Sequence, residues 1–581
     1  MVGSKMANFI EKNKKIILIF IILIASFLRL WKLDKVPVSL FGDELDVGYH
    51  AYSILKTGRD YQGNFMPLHF HSLAEWRTPL YLYSAVPTIG IFGINAWGVR
   101  LPAAIFGILG VFVFYLLIRE LFDDEKLALL SSFLLAVSPW HIQYSRAGFE
   151  VTQLILFLLL GLFFFFKSLK KDGKNLWLST LFFAFTPWIY SSAKFFTPFL
   201  ILFLFLVWKK EILKFKIKNI IFALVSLTVV AGPIAYSTIF SGGAQRFEYI
   251  SIFSDPTTEP EVGVARQIDA RMRGELGEGL SPTIIDRIIH NKFTFWGENI
   301  IKNYLSSFST NFFFVKGDLN LRHSIGMGEF YRVEFIALIL GIIFFFTSKL
   351  DKKYKWLMIF WILFGAVPSS ITREGANHAT RLILMLPPLI FLISFGIYES
   401  VGRLKGIKRL LFASSYLLLF LVCFFFYQHE YWVHYPWVSE RWWHAGYEES
   451  IKEVKKIEKD YDKVVISTAN EPPWVFFAGW YEYPPDKWQK EYPIDAKTNL
   501  KGFGEVSYID KFYFGSPQVD GFYSWSEVVD NKTLYLASEK EVKVNLILEP
   551  ERVPGGLKLI KSFTYPSGEP AFYLFTGRNE I

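Results

Sequence analysis

Long apolar runs separated by short charged stretches organise most of this chain. A helix needs ~17–25 predominantly apolar residues to cross ~30 Å of hydrocarbon. About eleven runs approach that length: 16–33, 99–118, 127–144, 151–166, 176–193, 195–208, 219–240, 331–348, 355–371, 380–400 and 409–428. Each is predicted to be a membrane-crossing helix, with the division of 176–208 left open. The first run is too long for a signal peptide. Arg29-Leu30-Trp31-Lys32 stands where a small-residue cleavage site would be, so a retained span is expected.

Beyond residue 428 the pattern changes. A charged amphipathic stretch from Glu448 to Tyr461 gives way to strand-like runs at Val464–Thr468, Thr533–Ala537 and Val542–Leu548, punctuated by Pro and Gly. The expected architecture is a polytopic α-helical membrane protein with about 11 transmembrane helices in residues 1–428. A C-terminal α+β domain follows in 429–581, long enough for a core of its own.

Composition agrees with the pattern. At one domain per ~150 residues, 581 residues would make about four soluble domains. Hydrophobic residues, however, make up 52% of the chain, and its 60 Phe are gathered in the runs. Lys and Arg number 62 against 53 Asp and Glu, for a net charge of +9. In a soluble protein this excess would suggest nucleic acid. Here the basic residues lie in short loops, so the lipid bilayer is the expected partner and no nucleic acid is. Clusters such as Lys12/Lys14/Lys15, Lys167/Lys170/Lys171/Lys174 and Lys209/Lys210/Lys214 mark one side as cytoplasmic, the N-terminus included. An odd number of crossings then places the tail outside, together with the loops 34–98 and 241–330. The single cysteine, Cys423, sits in an apolar run, so no disulfide forms within the chain.

Charged groups at the ends of spans are costly unless they face water or a partner, so the outside clusters are the candidates for chemistry. The sharpest is Asp43-Glu44, after Gly42 and just beyond the first span. Adjacent carboxylates at a membrane surface suit base, metal-binding and substrate-orienting duties. The same loop continues through Asp46, Tyr49 and Tyr52 to Arg77-Thr78-Pro79-Leu80-Tyr81. The third span ends at Ser138-Pro139 and leads to Tyr144-Ser145-Arg146 and Glu150. Carboxylates beside guanidinium groups suit a phosphorylated donor, because Arg grips phosphate through paired hydrogen bonds. In the loop 241–330, Gly242-Gly243, Gly274, Gly277 and Gly279 stand among charges. That loop reads either as a lid whose Arg266, Arg271 and Arg273 meet phosphate or as a plain surface helix.

With these residues in order, the chain resembles the GT-C glycosyltransferases of the protein O-mannosyltransferase type, glycosyltransferase family 39. The nearest branch is the prokaryotic phospholipid-carrier-dependent one, related to lipid A aminoarabinose transferase. The resemblance runs from roughly 16 to 400. It rests on Asp43-Glu44, Arg77-x-Pro79-Leu80, Ser138-Pro139 with Tyr144-Ser145-Arg146 and Glu150, Tyr190-x-x-x-Lys194-x-x-x-Pro198, and His378-Ala379-x-Arg381. It implies inverting transfer of a sugar, with mannose or another hexose expected, from a polyprenyl-phosphate carrier to an acceptor hydroxyl. The reaction would occur on the outer face of a prokaryotic plasma membrane.

Asp43 would be the catalytic carboxylate, with Glu44 and Glu150 as accompanying acids. Arg77, Tyr81, Arg146, Lys194, His378 and Arg381 would hold donor phosphate or substrate. No cofactor is implied beyond the lipid-linked donor, and a divalent metal is permitted but not required. The acceptor is left open between protein, lipid and glycan. Humbler readings exist for several groups: an Arg146–Glu150 bridge, a snorkelling Lys194 and a packing His378. Arg441-Trp442-Trp443-His444 superficially resembles a Trp-Trp-Asp motif but lacks its carboxylate, so the tryptophans read as anchors. Transfer of a preassembled oligosaccharide, a transporter or flippase, and a non-catalytic scaffold are the alternatives. The polar residues gather at outside span ends rather than on broken helices in repeated halves, which disfavours transport.

Overall fold

The computed structural model describes residues 2–72, 76–240, 243–275, 281–467, 471–491, 508–515, 518–519, 522–523 and 529–578. Of the glycines expected in a lid, Gly242, Gly277 and Gly279 lie outside these residues. The protein is mostly helical, and the apolar runs account for most of the helices. Among the described residues, six helices are long and apolar enough to cross a membrane: Ala96–Phe122, Val151–Leu169, Ser191–Ile212, Ile217–Phe240, Ala379–Arg403 and Gly406–Val438. Leu80–Phe92, Leu176–Ile189 and Glu334–Thr347 are shorter apolar helices.

Local chemistry sets where the helices stop. Asp124 starts the Glu125–Val137 helix by accepting the backbone N–H groups of Lys126 and Leu127, both at 2.9 Å. The helix ends where Ser138 turns extended ahead of Pro139, and a short helix Pro139–Ser145 follows. The open division of 176–208 falls at Tyr190, whose extended backbone separates Leu176–Ile189 from Ser191–Ile212.

The chain divides into two compact units. One comprises Met1–Ile22, Gly110–His141 and Leu154–Phe424; the other comprises Leu23–Leu109, Ile142–Gln153 and Phe425–Ile581. In the second, the segment 34–98 and the tail share one core. The Gly42–Thr57 helix packs on Pro473–Tyr481 and Pro485–Glu491. The Tyr49 hydroxyl donates to the Tyr483 carbonyl at 2.9 Å, and Trp474 and Trp488 are buried against it.

Two short strands, β1 (Phe70–His71) and β2 (Trp76–Arg77), pair antiparallel in the first loop. In the tail, a mixed six-stranded sheet is built from β3 (Lys463–Ile466), β4 (Tyr508–Ile509), β5 (Phe512–Phe514), β8 (Thr533–Ser538), β9 (Leu557–Thr564) and β10 (Pro570–Gly577). Between them β6 (Gln518–Val519) and β7 (Phe522–Tyr523) form a separate small pair. The sheet order is β4-β5-β3-β8-β10-β9, with β3 parallel to both β5 and β8 and the other pairs antiparallel.

One expected strand is absent. At Val542–Leu548, the Ser538 capping box starts a helical turn, Glu539–Val542. Lys543 then takes a left-handed φ of 57°, and the Asn545 side chain accepts the N–H groups of Ile547 and Leu548. Asn bonding to its own following backbone outcompeted the β-branched pattern.

Candidate functional site

Asp43 and Glu44 occupy the first turn of Gly42–Thr57, where carboxylates complement the unpaired N–H groups of a helix start. Consecutive helical residues point about 100° apart. The two acids therefore face different surroundings. Glu44 is fully buried, and its carboxylate takes Arg100 two-handed, at 2.7 Å from Nε and 2.8 Å from Nη2. The Gly148 N–H adds a third bond at 2.6 Å. Arg100, itself fully buried, spends its other hydrogens on the backbone carbonyls of Pro37, at 2.8 Å, and of Ser39. Its guanidinium lies 5.2 Å from the Trp443 ring. Gly148 is needed here because a Cβ would come within 2.9 Å of Val99 and 3.1 Å of the Glu44 side chain.

Asp43 faces outward, with 45% of its side chain exposed. Its Oδ1 lies 2.6 Å from Arg77 Nη2, and Arg77 Nη1 donates to the Asp43 carbonyl at 3.2 Å. Arg77 Nη1 also stands 3.8 Å from Asp46, one helical turn further on. Asp46 is fully buried and accepts the hydroxyls of Tyr61 at 2.8 Å and Ser72 at 2.5 Å. Burial pushes its carboxyl above the ordinary range, against the pull of Arg77 and the two hydroxyls. Beneath it the buried His50 imidazole stacks on Tyr61 at 3.8 Å, and burial lowers it to about 3, which keeps it neutral.

The remaining candidates from the sequence separate by environment. Arg146 is fully buried and holds backbone carbonyls, those of Leu28 and Lys32 at 3.0 Å and Val36 at 2.7 Å. Trp432 lies 4.5 Å from its guanidinium. Tyr81 is buried, and its hydroxyl donates to the Val99 carbonyl at 2.8 Å. Glu150 is half-buried, directly before Val151–Leu169. Lys194, His378 and Arg381 belong to the other unit and are half-buried. Lys194 donates to the Gly243 carbonyl at 3.1 Å, and Arg381 to the Thr372 hydroxyl at 2.6 Å. Of the loop arginines, Arg273 pairs with Asp286 through two 2.8 Å bonds, and Arg266 donates to the His290 carbonyl at 2.8 Å. Trp443 is fully buried and Trp442 partly exposed.

Arg100 escaped the sequence reading because it stands at the start of an apolar run. A lone arginine there is costly without a partner, and that was the available signal. The same unit as His378 also brings Asp318 and His323 to it: one ligand-type atom from each of the three lies within 4.8 Å of the others. Asp318 and His323 are close in the chain, but His378 comes 55 residues later, and no spacing signal links it to them.

Residues 77–236 match the family described as dolichyl-phosphate-mannose-protein mannosyltransferase. Over 233 residues the chain is 28% identical to the protein named "Putative mannosyltransferase YkcB" of Bacillus subtilis, covering 39% of this chain and 31% of that protein. Over 80 residues it is 38% identical to dolichyl-phosphooligosaccharide-protein glycotransferase 2 of Pyrococcus horikoshii, covering 14% of this chain and 10% of the other. The chain thus aligns with less than a third of the length of either curated relative. In structure it is similar to ArnT from Cupriavidus metallidurans, solved bound to undecaprenyl phosphate. The TM-score is 0.54 at 11% identity, covering 97% of this chain and 98% of that one.

Proposed function

From a GT-C fold with mannosyltransferase-like relatives, we propose that this protein transfers a sugar from a polyprenyl-phosphate carrier to an acceptor hydroxyl, with Asp43 as the catalytic carboxylate. The observation that carries this reading is the outward carboxylate of Asp43, oriented by Arg77 at 2.6 Å on a helix start that the buried Glu44–Arg100 pair holds still. A base must be both reachable and fixed in direction. Asp43 is both, whereas Glu44 has its oxygens committed.

In the proposed reaction, the acceptor O–H gives its proton to Asp43 as its oxygen bonds to the anomeric carbon. The bond from that carbon to the phosphate oxygen breaks on the opposite face. The sugar inverts, and the lipid leaves as polyprenyl phosphate. We assign Glu44 and Arg77 positioning roles, the first anchoring the helix and the second aiming Asp43. Lys194, His378 and Arg381 keep the donor-binding role on the chemistry of their groups. Glu150 is the candidate second acid. We assign Arg146 and Tyr81 to the scaffold, because the Arg146 Nη groups donate to three backbone carbonyls and the Tyr81 hydroxyl to a fourth. The protein would be multi-pass in a prokaryotic plasma membrane, with about eleven crossings, the N-terminus cytoplasmic and the tail outside.

The test uses purified protein in lipid nanodiscs, a panel of radiolabelled polyprenyl-phosphate sugars and Asp43→Asn. Donor turnover by wild type alone supports the reading. Equal turnover by both proteins would take the base away from Asp43. Turnover only of a lipid-linked oligosaccharide would overturn the single-sugar donor.

A further inference from the structure

A second cluster of chemistry lies in the unit that carries Lys194 and Arg381; of its members the proposed reaction uses only His378, as a donor-binding group. Its centre is Asp318, which follows Gly317 at the start of a tightly folded loop. Gly317 has a φ of 69°, and a Cβ there would come within 2.2 Å of the Met327 carbonyl, so only glycine fits. The loop closes on itself. Asp318 accepts the Asn320 N–H at 2.9 Å, Asn320 accepts the Arg322 N–H at 2.9 Å, and Ser324 donates to the Met327 carbonyl at 2.8 Å. This folding brings His323 back to Asp318, with Nδ1 at 2.9 Å from Oδ2.

His378 arrives from a different part of the chain and is fixed from its own side. It precedes the short helix Ala379–Leu382, and the Ala379 N–H donates to Asp318 at 2.9 Å. The His323 and His378 rings then stand 4.8 Å apart, inclined by 32°. Two imidazoles and one carboxylate are therefore gathered at a single point, from a loop and a helix start that are tied together through backbone.

We propose that Asp318, His323 and His378 form a binding site for a divalent transition metal of the zinc type. The donor set is the first argument. Two imidazoles with one carboxylate is a three-ligand arrangement that leaves a fourth position open for water or another oxygen. Distance is the second. Metal–ligand bonds of ~2.0–2.2 Å in a tetrahedron place donor atoms about 3.4 Å apart. The observed separations, from 2.9 Å for His323–Asp318 to a maximum of 4.8 Å, bracket that edge, so side-chain movements of roughly 1 Å complete the site. Preorganisation is the third. Asp318 is aimed by two backbone N–H groups, as the outer shells of metal sites aim their ligands. A site of this composition prefers zinc-type ions to magnesium or calcium, which take oxygen ligands.

The experiment uses the full chain in nanodiscs, stripped with chelator and titrated with Zn2+ and, separately, Co2+. The expected result is about one tightly held equivalent per chain, with the strong visible absorption of four-coordinate cobalt. Thermal unfolding should shift upward on metal addition, because metal bound only by the folded state stabilises it. His323→Gln with His378→Gln should abolish the equivalent and the cobalt bands in a protein that still unfolds cooperatively. Asp43→Asn should keep both. Wild type that holds no metal overturns the proposal, and so does a folded double variant that still holds its full equivalent. Since the readout is metal content and spectrum, the result stands apart from whether Asp43 is the base.

Discussion

Asp43 and Glu44 are neighbours in the chain and opposites in environment. Glu44 and Arg100 are both fully buried, whereas Asp43 is 45% exposed beside Arg77. The two ion pairs do different work because the helix turns about 100° between them. A buried pair is costly to break, since removing one partner leaves the other charged and unsolvated. A partly exposed pair is nearly neutral for stability. Fixity thus resides in one carboxylate and availability in the next.

Four substitutions test this division of labour. Asp43→Asn should reduce donor turnover by about 10²- to 10⁴-fold, as expected for loss of a general base. Its unfolding free energy should change by no more than ~1 kcal/mol. Transfer assays and thermal melts on one preparation check both halves, and a strongly destabilised Asp43→Asn would contradict the division of labour. Glu44→Ala should show the reverse order, losing about 3–5 kcal/mol of stability as Arg100 is stranded. Activity should then follow the folded fraction in denaturant-controlled assays.

Gly148→Ala comes next, at about 1–3 kcal/mol, because its methyl must displace Val99 and the Glu44 side chain. Melting of detergent-purified protein would register this. The smallest effect concerns Asp46. Its carboxyl is raised in the folded state, so the folded protein binds that proton more tightly than the unfolded chain does. Stability from this group is complete below the ordinary carboxylate range and is lost as pH rises through the raised value. Asp46→Asn should therefore gain on wild type as pH increases, and the difference in melting temperature should shrink toward acid pH. A pH-independent difference would sink this account.

The helical character was legible because apolar runs leave a strong one-dimensional signature, and the stops at Ser138-Pro139 and near Tyr190 follow local backbone rules. What the sequence hid is long-range. Glu44 and Arg100 meet across 56 residues, and nothing in the loop announces the partner. Arg100 also looked like the polar edge of a span rather than the anchor of a helix. The tail failed in the opposite way: Val542–Leu548 carried β-branched alternation, but the Ser538 and Asn545 side chains captured the local backbone first. Asp318 and His323 stand in a loop whose closure depends on Gly317, a feature with no periodicity to betray it.

The bond between Tyr49 and Tyr483 spans 434 positions of chain, and it has a consequence in time. Ribosomes add about 5–20 residues per second, so the first loop emerges on the order of 20–90 s before the segment that covers it. Throughout that interval the aromatic face of Gly42–Thr57 has no Trp474 or Trp488 to rest on. Biogenesis of this protein therefore includes a waiting period, during which a chaperone or protease on the loop's side of the membrane meets that face first.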